Sequence, residues 1–313
     1  MHIAIFGATS EIAHDLILGF IKDQRFQLTL FCRDASKISS EISSGAFKKQ
    51  RIKIASFDEF GLKKKYSAIV NFIGAGDPVR LKKLGGEIFQ ITNQFDDLAI
   101  EYIKNNNDCQ YIFLSSGAAY CSDFLAPASH DTKIDLSINK LSPKNWYGLT
   151  KLYAESKHRS LSDLGIVDVR VFSYFSHTQK ITSGYLMSDI ARAISNKTTL
   201  YTSSENIIRD YIHPSDFAQL ITRILEAPSQ NLAVDCYSLN PVEKYQLLDC
   251  LGSLYGLQYE FSNNLINSAT SGTKPNYFSE NKIVASLGYC PALTSIQGIV
   301  KEMDLVVKNL NNE

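Results

Sequence analysis

Through residue 172 the chain alternates short apolar runs with stretches of helical period, and few folds accommodate that rhythm. The runs are Ile3 to Phe6, Leu28 to Cys32, Ile52 to Ala55, Ala68 to Ile73, Tyr111 to Leu114 and Ile166 to Phe172. Between the first two, Ile12, Ala13, Leu16, Ile17, Phe20 and Ile21 recur at helical spacing. Several runs are apolar throughout, as parallel strands covered by helices on both faces should be. The alternation predicts an α/β protein with a doubly wound parallel sheet, whose ligands gather beyond the carboxyl ends of its strands. After Phe172 the pattern loosens into stretches rich in Tyr, Ser and Asn, which predicts a smaller C-terminal α/β lobe. Near the end, Gly288 to Pro291 stop one helix, and Thr294 with Gln297 fits a capping box for the last one.

Charge sets limits on partners. With 32 basic and 32 acidic residues, nothing draws the chain as a whole to nucleic acid or an anionic membrane, so an anionic substrate must be held by local groups. The hydrophobic content of 44% in 313 residues supports a substantial core. Six scattered cysteines without a Cys-x-x-Cys pair read as reduced, mostly packed thiols. Glu11, His14 and Asp15 interrupt any signal-peptide core, and no apolar run is long enough to span a bilayer, so a cytoplasmic location is expected. The histidines show no metal-ligand spacing, and no catalytic metal is expected. The run Lys63-Lys64-Lys65 reads as a solvated helix end or loop.

The first strand leads into Gly7-Ala8-Thr9-Ser10-Glu11-Ile12-Ala13, where a pyrophosphate would meet the amides of a helix N-terminus. Gly7, Thr9, Ser10, Glu11 and Ile12 are therefore candidate cofactor contacts. The spelling departs from Gly-x-x-Gly-x-x-Gly: Ser10 and Ala13 stand at the later glycines, and Ser10 can add a hydroxyl to the amide cradle. A tight turn with a Ser/Glu helix start is the competing reading. The second strand ends Phe31-Cys32-Arg33-Asp34, and a guanidinium at Arg33 suits a 2′-phosphate, which makes NADP the preferred cofactor. The alternative makes Arg33 a surface partner of Asp34, with Asp34 swung in to bind NAD.

Tyr147 and Lys151 form a Tyr-x-x-x-Lys pentad, and residues four apart share a helix face. An ammonium there can favour the ionised phenol, which turns a tyrosine into an acid/base near neutral pH. Among 16 tyrosines a chance pentad is expected, and Tyr153 with Lys157 supplies one. That second pair lies about 9 Å further along the axis and on another face, so Tyr153 reads as packing. Ser116, at the carboxyl end of the Tyr111 strand, can hold the oxygen that Tyr147 serves. The connection 122–145 is expected to cover the substrate, and His130 and His177 are polar candidates for its pocket.

Taken together, these residues resemble the extended short-chain dehydrogenases/reductases, the NAD-dependent epimerase/dehydratase family. The resemblance rests on the glycine turn, Asn71-Phe72-Ile73-Gly74-Ala75, Asn93, Ser115 to Tyr120, Tyr147 to Lys151, Arg209 to Asp216 and Leu287 to Pro291. It implies a Rossmann domain at 1–172 with roughly 206–240, and a substrate lobe at roughly 173–205 and 241–313. It implies that Tyr147 is the general acid/base, that Lys151 binds the nicotinamide ribose and lowers the Tyr147 pKa, and that Ser116 orients the substrate oxygen. Gly74 falls among the cofactor contacts, and Arg209 would pair with a substrate diphosphate.

Departures narrow the reaction. The family's dehydratases carry Asp-Glu after the catalytic hydroxyl; Gly117 and Ala118 stand here, which disfavours dehydration. The Asn-x-Tyr-Gly common after the sixth strand is Ser173-Tyr174-Phe175-Ser176. The first expectation is an NADPH-dependent reductase of a 4-keto nucleotide sugar, of the kind used for surface polysaccharides. The alternatives are a nucleotide-sugar epimerase with tightly bound NAD and a non-catalytic NADP-binding regulatory protein. A homodimer is implied by resemblance.

Overall fold

The structure is a computed structural model that describes residues 1–38, 42, 51–61, 65–74, 76–262 and 274–310. Lys63 and Lys64 of the lysine run, and Ala75, lie outside the described residues. The first half runs β1 (His2–Phe6), α1 (Glu11–Lys22), β2 (Gln27–Phe31), β3 (Ile52–Ala55), β4 (Ala68–Asn71), α2 (Pro78–Leu84), α3 (Glu87–Lys104), β5 (Gln110–Ser116) and α4 (Pro143–Arg159). Next come β6 (Ile166–Val171), β7 (Ser173–Tyr174), α5 (Leu186–Asn196), β8 (Leu200–Thr202), β9 (Ile208–Arg209), β10 (Tyr211–Ile212), α6 (Pro214–Glu226) and β11 (Asn231–Asp235). The chain closes with β12 (Val242–Glu243), α7 (Lys244–Tyr255), β13 (Tyr259–Phe261), β14 (Asn276–Tyr277) and α8 (Ser295–Leu310).

Seven parallel strands form the main sheet in the order β11-β6-β5-β4-β1-β2-β3. The order reverses beside β1, which places a crevice above the carboxyl ends of β1 and β4. Ile3, Ala4, Ile5 and Phe6 are wholly buried because alternate side chains serve opposite faces of the sheet. Ile3 and Ile5 join Leu16, Ile17, Leu220 and Ile224 from α1 and α6 on one face. Ala4 and Phe6 join Ala99, Ile100 and Ala154 from α3 and α4 on the other. Burial of each large apolar side chain contributes about 1.5–3 kcal/mol before chain entropy is subtracted.

A separate apolar cluster of Met187, Ile190, Leu247, Leu251, Ile299 and Met303 holds α5, α7 and α8 together in the lobe. Ile208–Arg209, within the stretch that the resemblance assigns to the Rossmann domain, pairs with β12 and β14 in a separate three-stranded sheet. The two-residue β9 is too short to show a period, so its partners were invisible before folding. At the last helix, Gln297 N–H donates to Thr294 Oγ1 at 3.2 Å and Thr294 N–H to Gln297 Oε1 at 3.0 Å, the expected capping box. No helix among the described residues is long and apolar enough to cross a membrane.

Candidate active site

The turn after β1 is held by Gly7 N–H and Ala8 N–H, which both donate to Phe31 O, at 3.0 and 3.3 Å. Gly7 has φ +72°, and a Cβ on it would meet Ile73 Cγ1 at 3.0 Å, so this position requires glycine. Ser10 has φ −76°, and its Oγ accepts from Ala13 N–H at 3.2 Å as the N-cap of α1. An ordinary extended residue suffices here, so the second glycine is dispensable, and the Ser10 hydroxyl keeps its hydrogen for a ligand. Such a cap is worth about 1 kcal/mol. Thr9 is exposed beside it, and Ile12 is half-buried in the first turn of α1.

Glu11 points across the turn. Its Oε1 accepts from Lys180 N–H at 3.1 Å, and burial raises its pKa above the ordinary carboxylate value. One turn on, Asp15 Oδ2 accepts from Tyr174 O–H and Oδ1 from Thr178 O–H, both at 2.7 Å. Segment 174–180 is thereby stitched onto α1 over the glycine turn.

At the centre of the crevice, β5 delivers Ser116 and α4 delivers Tyr147 and Lys151. Two glycines set how closely these elements meet. A Cβ at Gly148 would stand 2.6 Å from Ala118 O, and one at Gly117 would stand 2.4 Å from the Phe172 ring. Helix α4 therefore presses directly on the turn that follows Ser116 and brings the Tyr147 phenol near enough for the serine hydroxyl to favour its ionised form. The same crowding gives the physical reason that no acid follows Ser116: a side chain at 117 would strike Phe172. Gly148→Ala is expected to lower stability by about 1–3 kcal/mol and to reduce turnover as Tyr147 is displaced; urea unfolding and steady-state rates check it.

Lys151 does not lean on the Tyr147 oxygen. Its Nζ donates to Leu114 O at 2.7 Å, lies 4.4 Å from the Phe113 ring centre and stands 6.0 Å from that of Tyr147. Burial brings its pKa down to about 8, opposed by Asp96, Glu155 and Asp168. The Tyr147 phenol is raised above 10 by burial, with the Ser116 hydroxyl pulling the other way. The expected lowering by Lys151 is therefore not a property of this arrangement, because the ammonium is turned to the Leu114 carbonyl.

The other expected residues distribute themselves around this centre. A Cβ at Gly74 would lie 3.5 Å from Lys151 Nζ, and one at Gly76 would lie 3.8 Å from the Tyr147 hydroxyl. Backbone free of side chains thus borders both groups, a cradle that fits the nicotinamide end of a dinucleotide. Arg33 is exposed at the end of β2, while Asp34 Oδ1 accepts from Ser36 N–H at 3.0 Å and caps the short helical turn that follows. Arg209 Nη1 donates to Ile208 O and Lys274 O, both at 2.8 Å, and its guanidinium lies 5.7 Å from the Tyr277 ring centre. The neighbouring Asp210 is engaged elsewhere: its carboxylate accepts from Ser238 N–H and Ser295 O–H.

One expectation is overturned nearby. Tyr153 is 50% exposed, with Lys157 Nζ 5.8 Å from its ring centre, and so is not a packing residue. His177 is engaged by Glu302 at 2.6 Å. His130 is exposed and borders a cavity of about 360 Å³ with Arg170 and Asn281. Sequence reasoning missed Lys274 and Tyr277, which the pairing of β14 with β9 brings beside Arg209. Nothing in a two-residue strand signals that pairing. Among the described residues no group of His, Cys, Asp and Glu could hold a metal ion.

A model of the NAD dependent epimerase/dehydratase family matches residues 33–239, about two thirds of the chain. The chain belongs to the NAD dependent epimerase/dehydratase family. Its glycine turn lies before the matched residues, so the family's nucleotide-binding fold is completed by structure. A UDP-N-acetylglucosamine 4-epimerase from Methanobrevibacter ruminantium, in complex with UDP-N-acetylmuramic acid, superposes with TM-score 0.80 at 15% identity, over 98% of each chain. UDP-glucuronic acid 4-epimerase from Bacillus cereus, in complex with UDP-glucuronic acid and NAD, gives 0.77 at 15%, over 99% of this chain and 100% of that one. The dTDP-glucose 4,6-dehydratase from Bacillus anthracis in complex with NAD gives 0.78 at 13%, over 99% and 97%. These identities support the shared fold. No curated protein sequence matches the chain.

Proposed function

We propose that this member of the epimerase/dehydratase family is a nucleotide-sugar epimerase that keeps NAD bound through turnover. The observation that carries the reading is the stitching of segment 174–180 onto α1 through Asp15 and Glu11, across the turn where a dinucleotide would lie. An enzyme that returns a hydride to the carbon it came from has no need to exchange its cofactor, and a strapped site suits that cycle. Epimerases with NAD among the similar folds, and the lack of room for an acid at position 117, support the same choice.

When bound, the nicotinamide accepts a hydride from a sugar carbon and returns it. Tyr147 takes the proton of the sugar hydroxyl and gives it back, and Ser116 holds that oxygen within reach of the phenol. Lys151, fixed by the Leu114 carbonyl beside Gly74, orients the nicotinamide ribose. Arg209 and Lys274 hold the substrate diphosphate: burial lowers the pKa of both, Lys274 to about 8, and an incoming anion favours their charged forms. The first substrates to assay are UDP-hexoses and their uronic acids.

Heat-denatured protein should release stoichiometric NAD, and the native protein should interconvert UDP-sugars without net consumption of NADPH. A cofactor-free protein that consumes NADPH with a 4-keto sugar would replace this reading with the reductase. One observation favours that second reading: Asp34 caps its own turn and is not directed to a ribose, leaving Arg33 for a 2′-phosphate. Arg33→Ala should leave NAD occupancy unchanged in the epimerase. A loss of about 10- to 100-fold in NADP affinity, with NAD unaffected, would select the reductase.

A further inference from the structure

A second phenol reaches the serine that Tyr147 uses. Tyr277 Oη on β14 lies 3.1 Å from Ser116 Oγ. Its ring is fixed by Phe124 and Phe172, at centre separations of 4.8 and 5.2 Å, and Lys274 Nζ stands 4.8 Å from the ring centre. A serine hydroxyl has one hydrogen and two lone pairs. Ala118 N–H occupies one lone pair at 3.2 Å. One lone pair and one hydrogen remain, and a Tyr277 that donates to the lone pair leaves the hydrogen for the Tyr147 side of the crevice.

We propose that Tyr277 is a positioning residue that donates to Ser116 Oγ, committing the Ser116 hydrogen to the Tyr147 oxygen or to the substrate oxygen that replaces it. The assignment of donor follows from chemistry on the two sides. Tyr147 must lose and regain a proton, and a hydrogen pointing at its oxygen favours the ionised form. Tyr277 has no such duty, and burial pushes its phenol well above 10, so it remains a donor wherever Tyr147 works. The chain Tyr277 to Ser116 to Tyr147 runs in one direction, and each bond polarises the next. Lys151 from α4, Tyr185 at the start of α5, and Arg209 and Lys274 behind Tyr277 are the other polar groups around it.

The inference rests on the proposed function only for its kinetic readout. Phenolate absorbance of Tyr147, taken as the difference between the protein and its Tyr147→Phe variant, needs no substrate. Tyr277→Phe keeps the ring contacts and removes only the hydroxyl. It should raise the Tyr147 midpoint by about half a pH unit or more. In a Ser116→Ala background the same change should move the midpoint no further. An unmoved midpoint in Tyr277→Phe, or an equal shift without Ser116, overturns the proposal. With a turned-over sugar in hand, Tyr277→Phe should lower kcat about tenfold while KM stays within about twofold, the split expected of a residue acting through another. A wild-type protein that turns over no nucleotide sugar refutes the epimerase, and the titration still decides Tyr277.

Discussion

Tyr147→Phe is expected to lower turnover by about three orders of magnitude while the protein still carries its dinucleotide. The argument is geometric first. The Ser116 hydroxyl acts on the Tyr147 phenol, and the close approach of Gly148 to Ala118 O leaves α4 no freedom to move the phenol elsewhere. Phe keeps the ring and its packing, so what is lost is the group that takes and returns a proton. Burial holds the resting phenol protonated, which means that the proton must leave when substrate and cofactor enter and the site's charges change. Steady-state kinetics with a UDP-sugar, beside cofactor released on denaturation, measure both halves. A rate within tenfold of wild type would remove Tyr147 from the acid/base role, and loss of the dinucleotide would make it a binding residue.

The second large effect lies beneath the site. His158 is wholly buried, with Nδ1 2.6 Å from Asp168 Oδ1 and Nε2 2.8 Å from Asp96 Oδ1. Tyr111 O–H donates to the same Asp96 oxygen at 2.8 Å, and Asn71 Nδ2 donates to Tyr111 Oη at 2.9 Å, so β4, β5, β6, α3 and α4 meet in one network. Burial alone would lower the imidazole pKa, but two facing carboxylates more than reverse it and lift it to about 9. A histidine raised in the folded state contributes stability in full below its unfolded pKa of about 6.5, and that contribution is lost as pH rises through about 9.

The shift corresponds to roughly 3 kcal/mol between those limits. Urea unfolding at several pH values should show wild-type stability falling across this window. His158→Gln, which keeps a polar side chain but no cation, should be destabilised by about 3 kcal/mol below pH 6.5 and should lack the slope, since Asp96 and Asp168 then keep only Lys157 and Arg159 as counter-charges. Equal slopes in both proteins would show that the imidazole is neutral.

The main sheet was legible because each strand repeats a local pattern over four or more residues. Ile3 to Phe6 and Ile52 to Ala55 appear where expected, and the Tyr111 strand gains Gln110, Ser115 and Ser116. The segment from Ala68 ends as a strand at Asn71, because Asn71 Oδ1 accepts from Ile73 N–H and turns the chain toward Gly74. Ser116, Tyr147 and Lys151 were legible for another reason: each stands at a fixed offset from a strand end or within one helix turn. At Ser10 the sequence left two roles open, because a helix N-cap and an anion cradle draw on the same residue types at the same place, and the structure shows the cap.

By itself the sequence determined the architecture and the three residues at the crevice, since periodicity and four-residue spacing are properties of neighbouring positions. Only the tertiary structure decided where each proton and charge belongs. Lys151 faces the Leu114 carbonyl, Asp34 caps its own turn, and Tyr277 crosses from a distant two-residue strand to Ser116. Hydrogen-bond direction and burial depend on residues far apart in the chain, so no spacing along the sequence encodes them.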